Sequence, residues 1–378
     1  MSTINVCVTG GAGRIAYALI PLLVDGNLFN EAAVVNLRLL DIEGQEQRLD
    51  GLVMEILDST FPNVGTVVGT TDPIEAFRGA DVAILLGGFP RLKGMERGDL
   101  IAKNIATLLP QAEALNVHAK KNCLVVVVAN PANTNCLVAL SVASSLPAGN
   151  FSCLTRLDHE RLRGLVAEKL KETEEGDMSS VRASDIRNLA IFGNHSSTQV
   201  PFIGAATYSC TNTEGQIRSG NVEDKLDPAW VKSELIPRVQ KRGAEVIGAL
   251  GASSALSAAQ AIRRHVACIL LNDERGNPRA DVAAAAGDSF SMGCLCGKGG
   301  TVGGRLEMPA DLVFSVPYAM SGSSVAPVSM DVPAEDLSAT LKELLEEATT
   351  ASQIVEKMGI TLRTDCGLVN VVPGCARL

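Results

Sequence analysis

Histidine is scarce in this chain: 378 residues carry four, His118, His159, His195 and His265. Any imidazole chemistry therefore belongs to one of four places. The sequence has no His-rich cluster and no Cys-x-x-Cys pair. Cys294 and Cys296 are close, but a single intervening residue and the absence of a matching second pair favour small residues in a tight segment over a metal centre. No Lys/Arg-rich run is present and the formal net charge is −9, which removes the basic footprint of a nucleic-acid or anionic-membrane surface. No apolar run reaches the ~20 residues that a membrane-spanning helix needs. The first residues pass straight into a strand-like run, with neither the apolar stretch of a signal peptide nor an Arg/Ser-rich transit segment. Ten cysteines, Cys7, Cys123, Cys136, Cys153, Cys210, Cys268, Cys294, Cys296, Cys366 and Cys375, are scattered. That pattern suits free thiols in a reducing compartment better than a disulfide framework, and the expected location is the cytoplasm.

With 46% hydrophobic and 20% charged residues the composition is that of a globular protein, and the length predicts two lobes sharing a large buried core. Short β-branched or Leu-rich runs at 4–9, 34–41, 82–88 and 123–130 end at or beside Gly, Asp or Asn, and amphipathic segments at 14–25, 46–57, 99–120 and 134–145 lie between them. Such alternation implies a parallel sheet with helical crossovers, binding ligands at the carboxyl ends of its strands. After Asn150 the character changes. A run at 151–157 leads into a helix over 158–171, then a polar surface loop at 172–184, then a strand at 186–194 that delivers His195. Helices are expected at 230–250, at 254–271 and at 336–358, and the Gly-rich stretch 287–304 as a hairpin or mobile loop. In the helix near Ser254, the small residues Ala255, Ala258, Ala259 and Ala261 allow close packing. The expected division is 1–156 for nucleotide binding and 157–378 for catalysis.

Gly10-Gly11-Ala12-Gly13-Arg14-Ile15-Ala16 follows a strand and opens a helix, so its glycines let the backbone approach a pyrophosphate while the helix N-terminus stabilises its charge. A tight strand–helix turn needs glycine as well. Asp41, ending the second strand, adds a carboxylate placed to accept from ribose hydroxyls and to repel a 2′-phosphate, which favours NAD over NADP. Arg91 and Arg97 lie on a stretch with Gly88, Gly94 and Gly98 as hinges and could close over a dianion; the plainer alternative is a solvated basic loop with Glu96 as its partner. Asn130-Pro131 closes the fourth strand, where the amide can reach a ligand, although Asn-Pro is also an ordinary turn. His118 and His265 suit surface or structural roles, and His159 points about 100° from Asp158 on a helix. His195 remains. Asp158 can orient its imidazole and raise its proton affinity, and Arg161, three residues on along the same helical face, offers a planar fork for a substrate carboxylate.

On these residues the chain resembles the cytosolic-type NAD-dependent malate dehydrogenases of the lactate/malate dehydrogenase superfamily, over about residues 4–317. The matching motifs are Val8-Thr9-Gly10-Gly11-Ala12-Gly13, Leu40-Asp41, Phe89-Pro90-Arg91 through Gly94-Met95-Glu96-Arg97, Asn130 to Asn135, Leu154 to Arg161, Gly193 to Gln199, and Ser253-Ser254-Ala255. The resemblance implies an α/β protein: a doubly wound parallel Rossmann sheet followed by an α+β substrate domain, working in malate metabolism as a homodimer. By the same resemblance Gly10, Ala12, Gly13, Arg14, Ile15, Asp41, Gly87, Gly88, Asn104, Gln111, Ala129 and Asn130 line NAD. Arg91 and Arg97 meet the distal carboxylate of the substrate and Arg161 its C1 carboxylate. Asn130 orients substrate and nicotinamide, and Ser254 sits near the carboxamide. His195 takes the proton and Asp158 stabilises the imidazolium.

Residues 172–184, 294–305 and those beyond 358 align with nothing in that family, leaving oligomer contacts and localisation open. The last three, Ala376-Arg377-Leu378, are similar to a peroxisomal address. Two alternatives stand beside the main one: a lactate dehydrogenase, which shares the histidine, aspartate and C1-binding arginine but has no use for Arg91, and a nucleotide-binding protein without turnover. A reductase using Tyr-x-x-x-Lys is excluded, since Tyr17, Tyr208 and Tyr318 each lack a lysine four residues on.

Overall fold

A computed structural model describes residues 2–29, 33–89, 95–173, 178–270, 288–296, 301–302, 306–307, 312–321 and 324–363. Six strands, β1 (Thr3–Thr9), β2 (Val34–Leu40), β3 (Val64–Thr70), β4 (Val82–Leu85), β5 (Leu124–Val127) and β6 (Phe151–Cys153), lie side by side in the order β6-β5-β4-β1-β2-β3, all parallel. The crossovers are α1 (Arg14–Val24), α2 (Glu46–Asp58), α3 (Pro73–Phe77), α4 (Arg97–His118) and α5 (Ala132–Val142). Every residue of β4 and β5 is buried, because helices cover both faces; hence their unbroken apolar sequence.

The strand order reverses between β1 and β4, and this is where the doubly wound sheet opens its ligand crevice. Strand pairing stops at Leu85 and Val127, short of the predicted ends. The Gly87 N–H turns to the Thr9 hydroxyl at 3.0 Å, and the N–H groups of Val128 and Ala129 both converge on the Leu85 carbonyl. Sequence patterning passes over β3 because Gly65 and Gly69 dilute its alternation. Gly69 is there for packing: a Cβ at that position would lie 2.8 Å from Leu49 Cβ of α2.

The second half comprises α6 (Arg156–Lys171), β7 (Ile186–Arg187), β8 (Ala190–Phe192), β9 (Val200–Phe202), β10 (Thr207–Thr211), β11 (Ile217–Asn221), α7 (Pro228–Trp230), α8 (Ile236–Leu250), α9 (Leu256–Leu270), β12 (Ser289–Leu295), β13 (Thr301–Val302), β14 (Leu306–Glu307), β15 (Val313–Ser321), β16 (Ser324–Pro327) and α10 (Ala334–Glu356). Strand β12 pairs antiparallel with both β6 and β15, and β15 with β16, so the second half extends the parallel sheet to nine strands.

Two expectations are corrected here. Within the stretch expected as a hairpin or mobile loop, residues 289–295 form a strand buried at every position; β13, at its end, pairs antiparallel with β14 just beyond it. The expected strand at 186–194 is two strands in different sheets. It breaks at Asn188, whose φ is 59° and whose N–H is drawn to the Asp288 carboxylate at 2.8 Å. The helix predictions agree to within three residues, the expected 230–250 running from α7 into α8 through a π-helical stretch at Val231–Leu235, and Ala258, Ala259 and Ala261 are buried where α9 packs on α1. One apolar cluster lies beneath α1 and α9, and another beneath α4, α5 and α10 on the opposite face of the sheet. Among the described residues no helix is long and apolar enough to cross a membrane.

Candidate active site

The loop after β1 is built by close approach. Gly10 adopts φ +65°, and a Cβ on it would lie 3.0 Å from the Gly87 backbone; one on Gly11 would meet Leu39 Cβ at 2.9 Å, and one on Gly88 would meet Ala129 Cβ at 2.9 Å. The ends of β1, β4 and β5 are therefore drawn into one crevice, and Gly13, Arg14, Gly88 and Asn130 are exposed along it. Helix α1 begins there with no side-chain cap on Gly13, leaving its first-turn donors for an anion. Asp41, just past β2, accepts from the Ala12 N–H at 2.9 Å through one carboxylate oxygen and from the Ile42 N–H at 2.8 Å through the other. A carboxylate has about four lone-pair sites, so both oxygens keep capacity for ribose hydroxyls. The glycine approach, the uncapped helix start and the carboxylate together fit a dinucleotide.

Asn104 is 2% exposed. It braces the loop from within, its amide oxygen accepting from the Phe89 N–H at 2.8 Å and its nitrogen donating to the Leu100 carbonyl at 2.9 Å. Gln111 is buried on α4 and donates to the Thr107 carbonyl. Arg91 lies outside the described residues, as does the side chain of Arg97.

The second group of residues converges on the start of α6. Asp158, in the first helical turn, is 0% exposed. One of its oxygens meets His195 Nδ1 at 2.5 Å and the other accepts from Arg161 at 3.1 Å. The Gln199 side chain makes a further hydrogen bond to the same carboxylate. Burial opposes ionisation of Asp158, but His195, Arg161 and Gln199 outweigh it and hold the carboxyl below its ordinary value. For His195, burial disfavours the proton and the Asp158 carboxylate more than compensates, so its proton affinity is raised. Since Nδ1–H donates to Asp158, Nε2 is left as the basic atom. The His195 side chain is 18% exposed, enough to be reached from outside.

Arg161 also donates to the Ser254 hydroxyl at 3.3 Å, so a residue far along the chain joins the group. The turn carrying His195 is fixed by Asn133 of α5: its amide oxygen accepts from the His195 N–H at 2.9 Å and its nitrogen donates to the carbonyls of Gly193 and Val313. His195, Asp158, Arg161 and Ser254 are thus brought together. Gln199 and Asn133 are participants that residue spacing did not single out, although both lie inside the quoted motifs. Among the described residues no set of three or more His, Cys, Asp or Glu could hold a metal ion.

Residues 4–152 match the NAD binding domain of the lactate/malate dehydrogenases, and residues 155–355 match their alpha/beta C-terminal domain. The chain belongs to the lactate/malate dehydrogenase family. Within this family it is 40% identical to the cytoplasmic malate dehydrogenase of Zea mays over 93% of this chain and 98% of that one. Among solved family structures, the malate dehydrogenase of Naegleria fowleri matches at TM-score 0.78 and 34% identity, covering 94% of this chain and 99% of that one. The lactate dehydrogenase of Trichomonas vaginalis, solved with NADH and oxamate, matches at TM-score 0.80 and 30% identity over 94% and 99%.

Proposed function

We propose that this chain is a malate dehydrogenase that interconverts (S)-malate and oxaloacetate with NAD, and that residues 1–156 hold the nucleotide while 157–378 supply the catalytic groups. The observation that carries the proposal is the buried Asp158 carboxylate shared between His195 at 2.5 Å and Arg161 at 3.1 Å. In malate oxidation neutral His195 accepts the C2 hydroxyl proton at Nε2, and the charge that develops on the ring is met by Asp158 across the Nδ1–H bond. In the reverse direction protonated His195 donates at the same atom and polarises the carbonyl. Arg161 has guanidinium donors beyond those given to Asp158 and Ser254, and these bind the C1 carboxylate. Arg91 and Arg97 take the distal carboxylate.

Gly10, Ala12, Gly13, Arg14, Ile15, Gly87, Gly88, Ala129 and Asn130 would hold NAD along the crevice, with Asp41 at its ribose and Asn104 and Gln111 behind. When bound, NAD supplies the hydride acceptor.

The lactate dehydrogenase alternative turns on Arg91, for whose guanidinium a second substrate carboxylate would supply the counter-ion. Facing a methyl group it would cost on the order of several kcal/mol. The test is NADH consumption with oxaloacetate against pyruvate, in the wild type and in Arg91→Leu. Oxaloacetate turnover should fall roughly 100-fold or more relative to pyruvate turnover; an unchanged preference overturns the assignment.

The proposal includes a homodimer. Tyr17 on α1, Met54 and Leu57 on α2, and Leu256 on α9 are each more than half exposed, with Ile247 and Leu250 at the end of α8. Helix α1 touches both α2, through the Tyr17–Glu55 hydrogen bond, and α9, so a second copy would cover the exposed apolar residues of these three helices together. We place the protein in the cytoplasm, where the relative from Zea mays is named. A peroxisome-type location through Ala376-Arg377-Leu378 is the alternative, and that tripeptide lies outside the described residues.

A further inference from the structure

We propose that Thr340 and Glu347, on helix α10, are positioning residues that hold the turn 193–198 so that His195 stays in line with Asp158. The inference rests on the malate dehydrogenase reading and deepens it.

Asp158 sits on a regular helix, but His195 sits on a turn, and the direction of its ring follows the backbone of that turn. Two consecutive N–H groups fix this backbone. His195 N–H donates to Asn133, and Asn194 N–H donates to the Thr340 hydroxyl at 2.8 Å. Gly193 is what lets α10 come so close: its φ is +94°, and a Cβ there would lie 2.2 Å from Thr340 Oγ1.

The Asn194 side chain, 1% exposed, donates to Glu343 at 3.0 Å and to Glu347 at 3.3 Å. Glu343 also receives the hydroxyls of Ser196 and Thr198. Glu347 is 2% exposed, and its second oxygen accepts from Thr134, the α5 neighbour of Asn133. A buried carboxylate is costly to desolvate, and an apolar residue would pack the same space without that cost. The donors gathered around Glu347 account for it: they come from the turn on one side and from α5 on the other, so the carboxylate locks the two together.

The chain beyond α10 reinforces the clamp. The Arg363 N–H donates to Ser141 Oγ at 2.8 Å, and its guanidinium donates to the carbonyls of Leu146 and Ser144. Helix α10 is thereby fastened to α5 both at the turn and beyond its end. A displacement of about 1 Å in a catalytic group can cost roughly 100-fold in rate, so loosening α10 is felt at His195 although the ring itself is hydrogen-bonded to Asp158 of α6.

The experiment compares kcat, KM and the pH profile of malate oxidation in wild type, Thr340→Val, Thr340→Ser, Glu347→Gln and Ser338→Ala, with NADH affinity and site number measured by fluorescence titration. The charged groups that bear on His195 are Asp158 and Arg161 of α6, with Glu343 and Glu347 of α10 reaching it through Asn194. Thr340→Val removes the acceptor without changing charge. It should lower kcat roughly 10- to 100-fold, leave NADH affinity unchanged, and move the pH midpoint downward as His195 loses part of the Asp158 contact that raises its proton affinity.

Glu347→Gln should do the same, Thr340→Ser should restore kcat, and Ser338→Ala, on an exposed turn of the same helix and bonded to the Glu335 carbonyl, should match wild type. Wild-type kcat and midpoint in Thr340→Val overturn the inference while the malate dehydrogenase reading stands. A fall in kcat that only follows the number of NADH sites, at an unchanged midpoint, also overturns it. A wild type that turns over neither oxaloacetate nor pyruvate overturns the underlying reading. If Glu347→Gln does not fold, Thr340→Val and Thr340→Ser decide.

Discussion

Helix α6 places a histidine environment on each of two faces, and they differ in the sign of what surrounds the ring. On one face the Asp158 carboxylate meets His195, which is 18% exposed on its side chain. On the other, His159 is sealed at 0% exposure. Its Nε2 faces an Arg163 nitrogen at 3.1 Å, and Arg163 donates onward to Asp288 at 2.9 Å. Since a guanidinium only donates, Nε2 must accept, and the proton sits on Nδ1, which donates to Ser291 at 3.1 Å.

Burial, followed by Arg163 and Arg156, holds His159 well below the ordinary imidazole value, whereas the carboxylate lifts His195 above it despite burial. Arg156, Glu160 and Arg264 close the sealed face with ion pairs at 2.6 Å. Neither burial nor the presence of charge alone distinguishes His195 from His159. A carboxylate partner and a partly exposed side chain do.

The sharpest way to break this contrast is to remove each ring in turn. His195→Gln should lower kcat by roughly 10²- to 10⁴-fold, the usual worth of a positioned acid–base group. His159→Gln should leave kcat per folded molecule within about twofold, because its partners Arg163 and Ser291 are not among the groups proposed to meet substrate. NADH absorbance assays normalised to cofactor-binding sites read both; comparable losses would erase the distinction between the faces.

The next effect is on stability, and it reverses the ranking. Arg163→Leu strips the cation from Asp288, which is 3% exposed, and an uncompensated buried charge costs about 3–5 kcal/mol. Arg161→Leu leaves Asp158 still bonded to His195 and Gln199, so its stability loss should be smaller while its substrate KM rises. Urea midpoints and steady-state kinetics on both variants check this, and a larger stability loss in Arg161→Leu would count against the sealed-face account.

How far each face is legible in the sequence follows from how local its determinants are. Asp158 and Arg161 are three residues apart on one helix, and Gly10 to Gly13 form a turn between adjacent elements, so spacing and turn chemistry reveal them. The parallel strands β1, β4 and β5 show through as apolar runs for the same reason. The partners that complete the site are remote. Asn194 meets Thr340 across 146 residues, and Asn133 meets Val313 across 180.

Strand β12 reads Ser-Phe-Ser-Met-Gly-Cys-Leu, a composition that suggests a loop. It is a strand because β6 and β15 flank it, and because Gly293 admits Cys153, whose sulfur would lie 2.3 Å from a Cβ there. The strand predicted to run into His195 breaks at Asn188 because Asp288, another remote residue, captures its N–H. Gln199 is visible in its motif, but nothing in the spacing aims its amide at Asp158.

The smallest effect separates the two kinds of histidine by pH alone. His265 on α9 shares the sealed environment. It is 0% exposed, its Nε2 is paired with the Ser152 hydroxyl at 2.8 Å, and burial, with Arg156 adding to it, lowers its value from 6.5 to about 3. Between about pH 6.5 and 3 the unfolded chain therefore binds a proton at this residue that the folded chain refuses, and stability falls with acid by up to about 1.4 kcal/mol per pH unit.

His195 works with the opposite sign. Its folded value is raised, so its contribution is fully present below about 6.5 and is lost as pH rises through the folded value. His265→Gln, which keeps a partner for Ser152, should consequently lose less stability than wild type between pH 6.5 and 5, by up to about 2 kcal/mol. His195→Gln should flatten the alkaline side instead. Denaturant titrations across that range would show an unaltered acid slope in His265→Gln if this ring were charged in the native protein, and the division between sealed and working histidines would then fail at its simplest point.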